Sequence, residues 1–293
     1  MGAFSKPGKR GLVNVMRSLL FSFMSLFILA IFWMKSYRKP PWHPDDLWLS
    51  MTDSRADYCP GNISDPRGFN FVQSIFTDTY EKFKYETGCK NITTFGGRDD
   101  GRKFLCLDNI TPNRCLVYSI GSRKDFQFEI EVVQRLGCAV HTFDCTVGAV
   151  TEAEVPRGVK FHPWCIGSSN AMKSFSSDIL VNRHGLIGQY YTMKTVMKIL
   201  GHSSVSVLKM DIERHEYSVI QGLNCPGCFG QIALEVHLHN AYNMWGRPVS
   251  RTEWEELWTS LVFRDGFRPF HIDLNPLCPC CCEYSFISTR GAM

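Results

Sequence analysis

The sequence predicts an α/β protein whose central sheet is doubly wound and mostly parallel, with one transmembrane helix ahead of it. Three observations lead to this prediction. Short apolar segments alternate with helical segments from Cys115 onward, as is typical of parallel strands joined by crossover helices. The 293 residues are 44% hydrophobic, enough to bury one substantial core. An uncharged apolar run, residues 18–34, precedes this alternation.

The apolar run of residues 18–34 is about the shortest stretch that can cross a bilayer core of roughly 30 Å as a helix. It is too long for an ordinary signal peptide, and no small-residue cleavage site follows it. We therefore expect an uncleaved signal anchor, with a cleaved signal peptide or a buried helix as alternatives. The predicted organisation is a cytoplasmic tail (1–17), the anchor (18–34), a stem with some helix (35–94) and a folded domain (95–293).

Two features predict that the domain lies on the lumenal or extracellular side of the membrane. Asn62, Asn91 and Asn109 each begin an Asn-x-Ser/Thr glycosylation acceptor, although Pro112 makes the third a poor one. The 13 cysteines are more typical of an oxidising compartment than of the cytosol. We therefore expect a single-pass type II membrane protein of the endoplasmic reticulum or Golgi, with secretion after signal cleavage as the alternative.

The charge of the chain gives no reason to expect a nucleic-acid partner. The formal net charge is only +4, and basic residues on either side of the apolar run account for all of it. The remainder of the chain is slightly acidic, whereas nucleic-acid-binding domains usually carry a clustered basic surface.

The predicted elements follow from apolar runs and from the residues at their ends. Asp125 is a good N-cap for a helix, and Gly137 lies just past its end. Gly201 and Gly222 similarly end later helices. We predict helices over 70–85, 125–136 (with Phe126, Ile130 and Val133 buried), 192–200, 216–222 and 251–263, strands over 104–107, 115–120, 139–143, 159–162, 204–210 and 231–237, and a final hairpin of 267–272 with 282–288.

The first strand-turn-helix unit is predicted to bind a nucleoside cofactor. Gly121 follows the strand directly and allows a tight turn, and Arg123 or Lys124 could contact a carboxylate of the ligand. Asp144 ends the next strand, where an acidic residue would accept hydrogen bonds from the two ribose hydroxyls. A structural turn glycine and a capping aspartate are the alternative interpretation.

A cluster of acidic residues and histidines follows the next two strands along the chain. Asp211 and Glu213 end one strand, and Glu235, His237 and His239 end its predicted neighbour. Alternate residues of a strand share one face, so Glu235 and His237 could converge on Asp211. Such a cluster could remove a proton from a substrate, with His237 or Asp211 as the base, or hold a divalent cation. Helix capping by Glu213 or Glu216 is the structural alternative.

Four segments resemble the methyltransferase-like 24 group of animal proteins, which is similar to FkbM-type methyltransferases. They are residues 115–122, 141–144, 208–213 and 235–237, and the whole resemblance runs from about Phe95 to Ile287. It implies a Rossmann-like class I methyltransferase sheet that binds S-adenosyl-L-methionine. The resemblance implies cofactor contacts at Gly121 and Asp144 and a polar site at Asp211. The full set of predicted cofactor contacts is Ser119, Gly121, Ser122, Asp144, Cys145, Cys165, Ile166 and Asp211. Trp164 or Ile166, after the third predicted strand, could pack on the adenine; a core aromatic is the alternative.

Two positions depart from the family pattern. The usual glycine-rich first motif is reduced to Gly121, and Arg214 and His215 stand where a small Gly-Ala pair is expected after Glu213. The predicted catalytic residues remain Asp211, Glu235 and His237, which are also the candidate metal ligands.

The cysteines allow more than one interpretation. Cys225 and Cys228 form a Cys-Pro-Gly-Cys segment, and Cys278, Cys280, Cys281 and Cys282 lie near the C-terminus. We expect structural disulfides; a zinc site built from both groups and free thiols are the alternatives.

Three functions fit the sequence. A membrane-anchored methyltransferase acting on an oxygen or nitrogen nucleophile of an unknown acceptor agrees best with the ordered motifs. A type II glycosyltransferase could use Asp211 and Glu213 to hold a metal-bound sugar nucleotide. A catalytically inactive methyltransferase fold could serve as a binding module.

Overall fold

The computed structural model describes residues 66–84, 89–97, 101–148, 150–175, 186–238, 249–275, 278 and 280–290. The predicted anchor lies outside these residues, as do Asn62 and His239. Among the helices of the described ranges, none combines the length and the apolar character needed to cross a membrane.

The elements agree closely with the predicted order. The structure contains four further strands that were not predicted, one in a hairpin and three short ones. The helices are α1 Pro66–Phe83, α2 Gln127–Leu136, α3 Met193–Leu200, α4 Glu216–Leu223 and α5 Arg251–Trp258, which continues as a π-helix over Thr259–Arg264. The strands are β1 Ile92–Phe95, β2 Lys103–Cys106, β3 Leu116–Ile120, β4 Ala139–Phe143, β5 Val159–His162, β6 Cys165–Ile166, β7 Ala171–Phe175, β8 Leu186–Tyr191, β9 Val205–Met210, β10 Phe229–His237, β11 Phe267–Leu274 and β12 Cys281–Ser288.

The central sheet has seven strands in the order β5-β4-β3-β9-β10-β12-β11. The pairs from β5 to β10 are all parallel, and β12 runs antiparallel to both of its neighbours. The chain therefore adds β4 and β5 on one side of β3 and β9 and β10 on the other, as in Rossmann-like folds, and β12 then inserts between β10 and β11. This confirms the predicted doubly wound, mostly parallel sheet and creates a topological switch point between β3 and β9.

Helix α2 covers one face of this sheet, and its buried side overlaps only in part with the one predicted. Phe128, Val132 and Leu136 are buried in a cluster with Val117 and Val140 of the sheet. The helix begins at Gln127, after Phe126, so its apolar stripe follows the i, i+4, i+8 spacing from Phe128. Of the predicted face, Phe126 is buried just ahead of the helix and Val133 packs against this cluster, whereas Ile130 is only partly buried. The predicted stop at Gly137 is confirmed by its left-handed φ of 65°.

Helix α4 does not end at Gly222 as predicted. It continues to Leu223 and ends at Asn224, which has a left-handed φ of 34°. Asparagine tolerates that conformation better than most residues do. Gly222 has a different use: a Cβ there would lie 3.2 Å from Cα of Ser168, so the glycine lets the helix pack against that turn.

Two small sheets accompany the central one. Strands β6, β8 and β7 form a three-stranded sheet, and β1 pairs with β2 in an antiparallel hairpin. The three-stranded sheet was not predicted, because β6 has only two residues and β7 and β8 expose the apolar side chains Met172 and Ile187.

Helix α1 lies within the segment predicted as a stem, yet it packs against the domain. The Tyr80 hydroxyl donates to the carbonyl oxygen of Phe270 at 3.1 Å, and the Phe83 ring stacks on Trp258 with ring centroids 5.3 Å apart. The folded body therefore includes residues upstream of Phe95.

Disulfides account for most of the described cysteines. Cys225 pairs with Cys228 and Cys278 with Cys281, so each Cys-x-x-Cys segment closes on itself and the two do not form a joint zinc site. Cys282 is unpaired and buried, and Cys280 is disulfide-bonded. The remaining pairs are Cys89–Cys106, Cys115–Cys138 and Cys145–Cys165.

Candidate active site

Gly121 and Asp144 lie side by side at the carboxyl edge of the sheet. The last residues of β3 and β4, Ile120 and Phe143, are register partners, and the Gly121 N–H donates to the carbonyl oxygen of Phe143 at 3.0 Å. Asp144 is the next residue of the neighbouring strand. The two residues thus meet at one side of the switch point, where ligands bind in folds of this kind.

Gly121 is required by the backbone around it. Its φ is +78°, and a Cβ at this position would overlap the carbonyl oxygen of Asp211 at the end of β9. The glycine therefore brings the ends of β3 and β9 together. Lys209 of β9 also links the two strand ends, because its Nζ donates to the carbonyl oxygens of Gly121 at 2.6 Å and Ile120 at 3.3 Å.

The carboxylate of Asp144 is buried and already accepts three hydrogen bonds. Oδ2 accepts from the Arg123 N–H at 2.8 Å, and Oδ1 accepts from the N–H and hydroxyl of Thr146 at 2.8 and 2.7 Å. A carboxylate offers about four acceptor positions, so one remains, on Oδ2. This leaves room for one ribose hydroxyl rather than for the predicted two.

The other predicted cofactor contacts differ in whether they have a polar group that a ligand could contact. Ser122 is buried, and its hydroxyl has no hydrogen-bond partner. Ser119, two residues before Gly121 in β3, is also buried, and its hydroxyl faces the Glu129 carboxylate. Cys145 and Cys165 are joined in a disulfide, so neither offers a thiol, and Ile166 is buried in β6.

Aromatic and imidazole rings line the sheet near the predicted adenine position. Trp164 lies 4.6 Å from the His162 ring and 5.1 Å from the Tyr191 ring, measured between centroids. His141 Nδ1 and His162 Nε2 are 2.9 Å apart. Burial lowers the pKa of His162 and lowers that of His141 to about 4, so both rings are neutral at physiological pH. Trp164 thus packs within a group of aromatic and imidazole rings rather than standing alone.

Two of the predicted catalytic residues, Asp211 and Glu235, converge on a buried lysine that sequence reasoning missed. Lys103 of β2 is 1% exposed. Its ammonium group contacts Glu283, lies 3.6 Å from Asp211 Oδ2 and lies 3.9 Å from Glu235 Oε2. Nothing in the segment around Lys103 signals burial, because the lysine acquires its partners only when the β1–β2 hairpin folds over the sheet.

Lys103 provides one ammonium group for the carboxyl groups of Asp211, Glu235 and Glu283, so the three cannot all be ionised to the same extent. Burial would raise the pKa of Asp211, but Lys103, Lys209 and His237 outweigh it and hold that pKa below its ordinary value. Burial and the neighbouring carboxylates raise the pKa of Glu235 well above its usual range, and burial raises that of Glu283 to about 7. Burial also opposes the charge of Lys103, yet its three acidic neighbours raise its pKa.

His237 is held by Glu216, the first residue of α4. Glu216 Oε1 accepts from the His237 backbone N–H at 2.9 Å and lies 3.1 Å from its Nδ1. Glu216 is therefore a partner of His237 rather than only the helix cap that the structural alternative proposed. Burial lowers and Glu216 raises the pKa of His237, and the net direction is well above the ordinary value.

The loop after β9 explains one departure from the family pattern. Glu213 and Arg214 have φ values of +52° and +79°, in the left-handed region that favours glycine. A glycine at position 214 would fit this backbone without strain. Arg214 instead lies 3.6 Å from Glu253 of α5, measured from Nη2 to Oε1, and this ion pair anchors the loop.

Comparison with known proteins gives three findings. The sequence matches the family described as "Methyltransferase domain" over residues 43–288. It is 27% identical over 201 residues to the Rattus norvegicus "Probable methyltransferase-like protein 24", an alignment covering 63% of this chain and 52% of that protein. The Homo sapiens protein of the same name is 27% identical over 180 residues, covering 57% and 47%.

The chain spans about half the length of the curated relatives that it matches. Among solved structures it is similar to a mutant of the 16S rRNA (adenine(1408)-N(1))-methyltransferase from Catenulisporales acidiphilia, at 10% identity, with 68% of this chain and 98% of that one covered. The TM-score is 0.32, and a value this low carries no argument about the chain.

Proposed function

Because the chain belongs to this methyltransferase family, we propose that it transfers the methyl group of S-adenosylmethionine to an oxygen or nitrogen nucleophile. The resemblance to the methyltransferase-like 24 group is confirmed by the two relatives of that name. The observation that carries the proposal is the adjacency of Gly121 and Asp144 at the switch point. The family match also argues against the glycosyltransferase alternative.

The residues around the switch point fit such a cofactor. Bound there, it would supply an electrophilic methyl group on a positively charged sulfur. The Asp144 carboxylate has one remaining acceptor position for a ribose hydroxyl, and the Ser122 hydroxyl is a buried polar group that a ligand could satisfy. Gly121 keeps the turn close to the end of β9, so that ligand and acceptor would share one crevice.

The acidic residues at the sheet edge next to this crevice are suited to bind the molecule that accepts the methyl group. Asp211 remains 22% exposed, whereas Glu235 and His237 are almost fully buried behind it. We propose that Asp211 accepts the hydrogen bond of the nucleophile and orients it toward the methyl carbon. Glu235 and His237 position Asp211, and the ionised Asp211 carboxylate is the group that can accept the released proton.

Replacing the Asp144 carboxylate tests the cofactor site. Asp144→Asn should weaken S-adenosylmethionine binding by about 1–3 kcal/mol, because the amide replaces a charged acceptor. Binding is measured by isothermal titration calorimetry on the full chain purified in mild detergent. Asp78→Asn, on the exposed surface of α1, is the matched control and should bind like the unmodified chain.

Two results would count against the assignment. Full affinity in Asp144→Asn would remove that residue from the site. Failure of the unmodified chain to bind S-adenosylmethionine or S-adenosylhomocysteine would favour the inactive binding module instead. Thermal unfolding of each variant shows whether a lost affinity reflects lost structure.

We also propose that the domain is lumenal and anchored by residues 18–34. The disulfides support an oxidising compartment, and Asn91 and Asn109 are exposed on the described surface. In cells, the chain should remain with membranes after alkaline extraction and should shift in gel mobility after glycosidase treatment. Asn91→Gln should remove one such shift, and cytosolic, reduced and unglycosylated protein would contradict the proposal.

A further inference from the structure

Three side chains beside the proposed methyl-transfer crevice are arranged like the ligands of one metal ion. They are Asp211 and Glu213, after β9, and His237, at the end of β10. Each offers one ligand atom, and these atoms all lie within 4.8 Å of one another. They come from two adjacent parallel strands, so the sheet itself sets their spacing.

The atoms of His237 and Glu213 face each other without a hydrogen bond. His237 Nε2 lies 3.6 Å from Glu213 Oε2, which is too long for a hydrogen bond. The His237 side chain is only 3% exposed, and Glu213 Oε2 is a buried oxygen with no hydrogen-bond partner. Two ligands about 2.0–2.2 Å from one tetrahedral ion lie about 3.4 Å apart, close to this separation.

Glu216 gives His237 the orientation that metal-binding histidines usually have. Its Oε1 lies 3.1 Å from Nδ1, so Nδ1 can donate to it, and the His237 backbone N–H donates to the same oxygen. A metal-binding histidine typically donates its second ring N–H to a carboxylate, which fixes the tautomer and directs the other nitrogen at the ion. Glu216 therefore fixes the His237 ring with Nε2 toward Glu213 Oε2 at 3.6 Å, and Glu235 Oε2 lies 3.9 Å from the same nitrogen.

We propose that Asp211, Glu213 and His237 bind one divalent first-row transition-metal ion. Two carboxylates and one imidazole suit Mn²⁺ or Zn²⁺ better than Mg²⁺, which prefers oxygen ligands alone. Three protein ligands leave coordination positions open, and the partial exposure of Asp211 and Glu213, 22% and 36%, places the opening toward solvent.

The ion would select the acceptor class, and this role rests on the proposed methyl transfer. An open position beside the crevice can coordinate an oxygen of the acceptor and favour loss of its proton. The preferred acceptors are therefore hydroxyl compounds with a second oxygen close enough to chelate the ion. The binding of the metal itself does not depend on methyl transfer.

The site can be tested directly on the full chain, purified in mild detergent and stripped with a chelator. Titration with Mn²⁺, followed by electron paramagnetic resonance, should show one site per chain and magnetic coupling to a histidine nitrogen. Glu213→Gln should weaken Mn²⁺ binding by at least about 10-fold, and Glu216→Gln by about 10- to 100-fold. Glu152→Gln, in an exposed turn, is the matched control and should leave binding unchanged.

His237→Gln should abolish the nitrogen coupling while any remaining Mn²⁺ binds through oxygen. Absence of Mn²⁺ and Zn²⁺ binding, unchanged affinity in Glu213→Gln, or Mg²⁺ binding as tight as that of Mn²⁺ would each overturn the site. S-Adenosylmethionine binding by the stripped chain is measured in parallel. A chain that binds the cofactor and no metal refutes this inference alone, whereas one that binds metal and no cofactor refutes the proposed function.

Discussion

Gly121→Ala is expected to lose more than about 4 kcal/mol of unfolding free energy, which is a large part of the stability of a typical domain. The added methyl group would overlap the carbonyl oxygen of Asp211, and the residue would also be forced to keep a φ of +78°. Because that carbonyl belongs to the backbone at the end of β9, no side chain can move aside to make room. The ends of β3 and β9 would have to move apart.

Gly201→Ala separates the steric effect from the effect of backbone conformation. Gly201 has a similar φ of +73°, but nothing lies within 4 Å of the position of its Cβ. Only the left-handed conformation is penalised there, at about 1–2 kcal/mol. Urea denaturation followed by tryptophan fluorescence compares the two variants. Equal losses in both would show that the β3–β9 contact is not as close as the structure describes.

The strand order and the ends of most helices could be predicted because local signals determine them. The alternation of apolar strands and helices fixed the sheet, and Gly137 and Gly201 marked helix ends through their left-handed conformation. Gly222 misled the prediction, since a glycine also serves close packing, as it does against Ser168. Glycine therefore serves either to end a helix or to allow close packing, and the sequence does not distinguish the two.

Part of the candidate site was also predictable, because it follows from the predicted strand order. Asp211, Glu235 and His237 end neighbouring strands, so the predicted topology alone brought them together. Lys103 was not predictable, because it comes from a hairpin outside the central sheet and reaches its partners across about 100 to 180 residues of sequence. Lys209 did carry a signal: it is a charged residue between the buried Leu208 and Met210 of a strand.

Lys103→Met should cost about 3–5 kcal/mol of unfolding free energy at pH 8. The methionine fills a similar volume, but it leaves Asp211, Glu235 and Glu283 without the ammonium group that they share. Lys194→Met, on the exposed side of α3, is the control and should change stability by no more than about 0.5 kcal/mol. Urea denaturation with a chelator present measures all three proteins.

The deficit of Lys103→Met should shrink as the pH falls from 8 to 5. Burial already raises the pKa of Glu283 to about 7 in the folded chain, and loss of Lys103 removes a positive charge that lowers the pKa of Glu283, Glu235 and Asp211. A carboxyl whose pKa is higher in the folded state than in the unfolded state binds more protons when folded, so unfolding free energy increases as the pH decreases through that range. The variant should therefore regain part of its stability at pH 5, where protons replace the missing charge. A deficit that stays constant from pH 8 to pH 5 would mean that lost packing, rather than the unpaired carboxylates, destabilises the variant.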